Sequence, residues 1–260
     1  MLALVNTLAA YTQHIDLYCK QFRNNSETTG LWFRGQEQTS WDLRPKIYRP
    51  DCPGKFEREI TRDFRQNTAT YLDAQSRHGI DLLFTMQHYS APTRLLDWSE
   101  SYLIALYFAV ESHARNTTDG RVWILRPRAL NRKTCNIDTV PMPLEFNFDS
   151  YLLDTSPPNL RDISATAPIA IKANRNNVRI IAQQGQFTIH GSDPTALNNL
   201  TNHTDYLDYI DIDGTAKKDI YTSLVQAGIS RSRVFPELEY IAQDITEKYT
   251  LMDKRSHLSS

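Results

Sequence analysis

At 260 residues, with 40% hydrophobic and 10% aromatic side chains, the chain is long and apolar enough to bury a core, which excludes an intrinsically disordered protein. Lys and Arg number 29 against 30 Asp and Glu, a net charge of −1, so no overall field recruits nucleic acid or an anionic membrane. Cys19, Cys52 and Cys135 are odd in number and widely spaced, which fits neither a disulfide framework nor a zinc ligand set and points to reduced thiols in the cytoplasm.

In chain order, "MLALVNTLAAYTQHIDLYCKQF" lacks an early basic region and carries Leu4, Leu8, Tyr11, Ile15 and Leu17 near helical spacing. That predicts an amphipathic helix through about Phe22, not a leader or a membrane span. "RNNSETTG" predicts a loop, and "LWFRGQ" (31–36), held between Gly30 and Gly35, a strand. "YRPDCPGK" is a turn. Phe56, Ile60, Phe64 and Tyr71 mark the inner face of a helix, and a second helix ends near His88, before "SAPT". Ser99 is placed to cap a buried helix over "SYLIALYFAVESHA". "DGRVWILRP" reads as turn then strand, and 131–168, rich in Pro and Asn and carrying "TSPPN", as long loops with a short helix. "VRIIAQQGQFTIHG" predicts two strands joined at "QQGQ". "AKKDIYTSLVQAG" predicts a helix closing at Gly228, and "PELEYIAQDITEKY" a last one with Pro236 in its first turn. There is neither a repeat nor a regular strand–helix alternation. The expected fold is α+β, one domain with a small mixed or antiparallel sheet flanked by helices.

The sequence has no phosphate loop, no dinucleotide glycine fingerprint, no H-E-x-x-H and no G-x-S-x-G. The histidines show no close pair at metal-ligand spacing, so no metal is expected. Two dense blocks remain. Arg34 follows two large aromatics and precedes a glycine, which lets a ligand or another backbone approach. Its guanidinium cannot be neutralised and needs a partner. That partner is either Asp97 or a glutamate of the chain, or a phosphate or carboxylate of a ligand. "QHYSAPTRLLDWSE" (87–100) packs Gln87, His88, Thr93, Arg94, Asp97, Trp98, Ser99 and Glu100 around Tyr89 and Trp98. An Arg94–Asp97 turn pair and a Ser99 cap account for only part of that density.

"LWFRGQ", then "LRPKIYR", then "QHYSAPTRLLDWSESYLIALYFAV" resemble the FRG domain, named for its Phe/Tyr-Arg-Gly motif, over about residues 28–128. Tyr89-Ser90-Ala91 stands where that family has Tyr-Gly-Ala. "RIIAQQGQFTIHG" resembles a segment common downstream, so the resemblance implies a single FRG-type domain over 1–260, completed by strands and helices at 170–250. The family is met mostly in bacterial and phage-associated proteins. The order of parts resembles, more distantly, the ADP-ribosyltransferase fold of the arginine-serine-glutamate kind. That resemblance implies NAD as a substrate, Arg34 on its pyrophosphate and Ser99 as the serine. The glutamate of that pattern is missing from "NRNNVRIIA", leaving Gln183 or Gln184, or Glu237 or Glu239 from the C-terminal helix, to serve. The implied catalytic set is Arg34, Ser99, Gln184 and Glu239. The implied cofactor-binding surface is Trp32, Phe33, Gly35, Gln36, His88, Tyr89, Thr93, Arg94, Asp97 and Trp98.

Three functions stay open on these grounds. One is an ADP-ribosyltransferase-like or NAD-cleaving protein, a bacterial or phage toxin or defence effector with a protein or nucleic-acid acceptor. Another is a nucleotide- or nucleic-acid-binding sensor without turnover. The third is a nuclease or phosphoesterase using His88, Arg94 and Asp97. The expected partners are a small-molecule nucleotide and a protein or nucleic-acid acceptor, with no membrane; oligomeric state is not legible. Each of the three functions expects Arg34 and the 87–99 block to face one another across one cleft, with Trp32, Tyr89 or Trp98 as its aromatic wall.

Overall fold

The computed structural model describes residues 4–22, 30–114, 117–153 and 163–258. The strands are β1 (Trp32–Gln36), β2 (Leu95–Ser99), β3 (Gly120–Leu125), β4 (Ile169–Ile171), β5 (Gly185–Ile189) and β6 (Leu207–Ile212). The helices are α1 (Leu8–Phe22), α2 (Glu57–Asn67), α3 (Gly79–His88), α4 (Tyr102–Val110), α5 (Pro127–Cys135), α6 (Val178–Ala182), α7 (Lys217–Gln226), α8 (Arg231–Val234) and α9 (Leu238–Leu258). Among the described residues the six strands form one sheet in the order β4-β5-β2-β1-β3-β6, and each of its strand pairs is antiparallel. The fold is α+β, as the irregular mixture of elements predicts.

Alternation along β1 decides which helix lies where. Phe33 faces a core cluster built from α1, α4 and α7 with Val122, Ile124, Ile210 and Ile212 of the sheet. Trp32 faces the other side, with Leu43, Leu96, Trp98, Trp123 and Leu125. A further cluster joins α3 to Leu95, Ile169, Phe187 and Ile189 at the opposite end of the sheet. α4 is apolar nearly all round and buries Ile104, Ala105, Leu106, Tyr107, Ala109 and Val110. Each such large side chain contributes about 1.5–3 kcal/mol of burial.

Gly35 explains how α4 comes so close to β1. A Cβ at that position would lie 1.9 Å from the Ala105 carbonyl oxygen and 2.7 Å from the Ala109 nitrogen. Of the two roles the sequence leaves open for this glycine, the structure selects close approach of another backbone.

Several expectations are corrected. Ser99 ends β2 and does not cap α4; Ser101 does, accepting from the Ile104 N–H at 3.4 Å. "VRIIA" is not a strand but the short helix α6: Asn177 caps it, accepting from the Arg179 N–H at 2.8 Å, and Gln184 closes the turn at φ 48°. β-branched residues read as strand, yet one inward residue, Ile180, and a side-chain cap satisfy a single helical turn. α2 is shorter than its stripe: Phe56 precedes it, and Tyr71, 84% exposed, lies beyond it. Leu4 and Leu17 are also exposed, leaving Tyr11 and Ile15 as the buried face of α1. Pro127 is the first residue of α5, so the helix begins before the loop region rather than inside it. α9 begins two residues after Pro236 and runs past the predicted end. "TSPPN" lies outside the described residues.

Candidate functional site

β1 and β2 pair at a single register point, Phe33 opposite Ser99, whereas β1 and β3 pair over five residues. The two central strands therefore part, and a cleft of 410 Å³ opens beside them. Its apolar wall draws Phe33, Phe108 and Phe235 from one side and Phe84, Ile180 and Phe187 from the other. Its charged lining is Arg34, Lys46, Arg49 and Arg179 with Asp97.

Arg34 bridges the parting. Its Nη1 donates to the Asp97 carbonyl oxygen at 2.7 Å and stands 3.6 Å from Asp97 Oδ2. Its Nε is buried with no partner among the described residues. Burial pulls the guanidinium pKa below its ordinary value; Asp97 opposes that shift and the neighbouring Arg49 adds to it. Asp97 is held in turn by Gln87, whose Nε2 donates to Oδ2 at 2.7 Å. Thr93, fully buried, donates its hydroxyl to Gln87 Oε1. Thr93, Gln87, Asp97 and Arg34 thus form one continuous polar chain from the end of α3 across the sheet.

Lys46 donates to the Ser90 carbonyl oxygen at 2.7 Å, closing one rim. Ser90 has φ 61°, a left-handed conformation that favours glycine, the residue that the sequence resemblance implies there. Arg179 forms the other rim, bonding Glu237 through Nε at 2.7 Å, with its guanidinium 5.3 Å from the centre of the Phe235 ring. Gln183 ties the same segment down by donating to the Val234 carbonyl oxygen at 3.1 Å. His88 lines the cleft between these groups. Burial lowers its pKa, Arg179 lowers it further and Glu237 pulls it back.

The expected facing of Arg34 and the 87–99 block is found, through Gln87, His88, Asp97 and Ser99. Other expected members lie elsewhere. Arg94 is buried and spent on Glu57, the Tyr48 hydroxyl and the His190 and Gly191 carbonyls, so it does not line the cleft. The aromatic wall is phenylalanine. Trp32 is sealed in the core on the far face, Trp98 donates its indole N–H to Thr188 there, and Tyr89 is 63% exposed outside the cleft, edge-on to His88. Gln36 accepts from the Trp123 indole at 2.6 Å and borders a neighbouring hollow. Ser99 Oγ donates to the Gln183 carbonyl at 2.7 Å and accepts from the Ser101 N–H at 2.9 Å. Gln184 lines a separate recess beside Ser101 and Ile104. Glu239 bonds Gln243 along α9 and does not reach the cleft. Sequence reasoning missed Lys46 and Arg49, which sit inside the quoted "LRPKIYR", and Arg179, hidden in the segment misread as a strand.

Among the described residues no group of three or more His, Cys, Asp or Glu is placed to hold a metal ion, and no helix is long and apolar enough to cross a membrane. No curated protein and no solved structure matches the chain. The family model described as the FRG domain matches residues 29–118, the stretch that supplies Arg34, Lys46, Arg49, Gln87 and Asp97 to the cleft. The chain carries an FRG domain.

Proposed function

We propose that the cleft binds the pyrophosphate-bearing nucleotide NAD and cleaves its nicotinamide–ribose bond. The observation that carries this reading is the charge of the cleft. Four cations and one carboxylate line it, and Arg34 keeps a buried, unpartnered Nε beside Arg49. Two guanidiniums crowded together favour a shared anion, and a pyrophosphate supplies one of matching charge. The phenylalanines offer faces for a planar ring. Asp97 then faces the ribose as the bond to nicotinamide lengthens, and its negative charge stabilises the positive charge growing on that carbon. The departing nicotinamide takes the bonding electron pair; water or an acceptor hydroxyl adds to the carbon and gives up its proton. An aromatic-Arg-Gly strand, then a strand ending in serine, then a buried helix follow the order of the ADP-ribosyltransferase resemblance.

A second reading, binding without turnover, is favoured by a different observation. Ser99 Oγ is already bonded on both sides, and no glutamate stands on the late strand. Nicotinamide release from NAD by wild type, Arg34→Ala and Asp97→Asn separates the two. Cleavage predicts release that both substitutions abolish. Binding of NAD without release, with nucleic acid or cell extract added as acceptor, leaves the second reading. Absence of binding defeats both.

A further inference from the structure

Beside the cleft lies a second hollow of 520 Å³. The two meet at Arg34, Gly35, Arg49 and Phe108, so the unpartnered cation edge of Arg34 stands at the junction and not at either end. The hollow is bordered by Trp41. Of the chain's four tryptophans, Trp32, Trp98 and Trp123 are no more than 4% exposed, whereas Trp41 is 45% exposed and faces no aromatic partner among the described residues. Four carboxylates border it, Glu37, Asp42, Asp51 and Glu111, together with Arg44, which stands 3.6 Å from Asp42 and whose buried Nε has no partner among the described residues.

We propose that this hollow takes the second base and ribose of a dinucleotide, with Trp41 as the stacking face. The inference rests on the nucleotide reading of the first cleft and extends it. A dinucleotide is two planar bases joined by a central pyrophosphate. Its sequence of ring, anion, ring matches phenylalanine wall, Arg34 and Arg49, then Trp41. An exposed indole stacks on any base because every base presents a π-face. Glu37 and Asp51 are acceptors for ribose hydroxyls or an exocyclic amine. A cationic acceptor group would also find an aromatic and carboxylates here, but it would have to lie against the guanidiniums at the junction. That repulsion favours the nucleotide half.

The test compares binding of NAD, ADP, ADP-ribose and nicotinamide mononucleotide to wild type, Trp41→Ala and Trp41→Phe, by titration calorimetry and indole fluorescence. The expected result is that NAD and ADP-ribose bind wild type at least about ten-fold tighter than the mononucleotide, one aromatic stack being worth about that ratio. Trp41→Ala should remove most of that advantage while leaving the mononucleotide unchanged, and Trp41→Phe should keep most of it. Equal affinities for NAD and the mononucleotide in wild type overturn the proposal, as does Trp41→Ala weakening both alike. Competition of agmatine against ADP overturns it too and assigns the hollow to a cation. ADP binding that depends on Trp41, without nicotinamide release, keeps the proposal and removes cleavage. Release that is indifferent to Trp41→Ala in its KM does the reverse, and failure of all four ligands to bind removes both.

Discussion

Arg34 and Asp97 stand on neighbouring central strands that have stopped pairing, and the contact between them runs mainly through the backbone: Nη1 donates to the Asp97 carbonyl oxygen at 2.7 Å, with the carboxylate Oδ2 farther off at 3.6 Å. The guanidinium is therefore positioned by a group that does not titrate. Its charge is only partly offset by one that is half exposed and held by Gln87. A cation fixed in place but incompletely neutralised is a preorganised anion site, because the ordering is complete before a ligand arrives.

Asp97→Asn separates binding from chemistry on this account. The amide keeps the size of the side chain and leaves the backbone bond to Arg34, while removing the opposing charge. Affinity for ADP-ribose should rise about three- to ten-fold, in line with roughly 1 kcal/mol for a partly exposed pair. Nicotinamide release should fall to background. An affinity that drops in calorimetry would show that the carboxylate holds Arg34 in place and does not compete with the ligand for it.

Gly35→Ala tests whether the glycine of the motif is there for packing. Its Cβ would enter the carbonyl of Ala105, and backbone on both sides leaves no flexible group to give way. Overpacking of this kind costs about 1–3 kcal/mol or more. The melting temperature should fall by several degrees, with loss at Gly35→Val greater still. A protein of unchanged stability that binds nucleotide poorly would return the glycine to the ligand.

Ser90→Gly should act in the opposite direction. Ser90 holds φ 61°, where a side chain costs about 1–2 kcal/mol, and its carbonyl accepts from Lys46 whatever the side chain. Glycine relieves that cost but adds unfolded-chain entropy, so a net gain of about 0.5–1 kcal/mol is expected in urea unfolding. A loss would mean that the serine side chain contributes a contact that outweighs its backbone strain.

The parts of this site that were legible in the sequence are those set by local pattern. β1 and α4 follow from a short aromatic run ended by glycine and from an apolar run too long for a strand. That Arg34 needs a partner follows from the rarity of an unpaired buried charge, and Asp97 is one of the partners that leaves open. What was not legible is which way equal chemistries point. Arg34 and Arg94 each sit beside apolar strand residues, yet one opens onto the cleft and the other is consumed by Glu57 and Tyr48 from a segment about forty residues away. Ser99 is the expected cap, but β2 stays paired with β5 as far as Ser99 opposite Gly185, so the cap falls two residues later, on Ser101. Arg179 reaches the rim only because its segment is a helical turn. Val-Arg-Ile-Ile carries no local sign of that beyond the asparagine before it.

His190 gives a test of the scaffold beneath the site that is independent of any ligand. It is buried against Arg94, its Nε2 has no partner among the described residues, and burial first and Arg94 second push its pKa down to about 3, with Asp193 opposing. A base with a depressed folded pKa is neutral in the native state while the unfolded chain takes up a proton below its ordinary value of about 6.5. Stability from this group is therefore complete above that pH and is lost as the pH falls towards the folded value. Between pH 7.5 and 5.0 the loss should be about 2 kcal/mol. In His190→Gln that increment should vanish, whatever the substitution does to stability at pH 7.5, because the other groups titrate alike in both proteins and cancel. Urea unfolding at the two pH values reads the difference directly. Parallel losses in wild type and variant would mean that His190 is protonated as readily in the folded protein as in the unfolded chain, and that the Arg94 network beneath β2 tolerates a second cation.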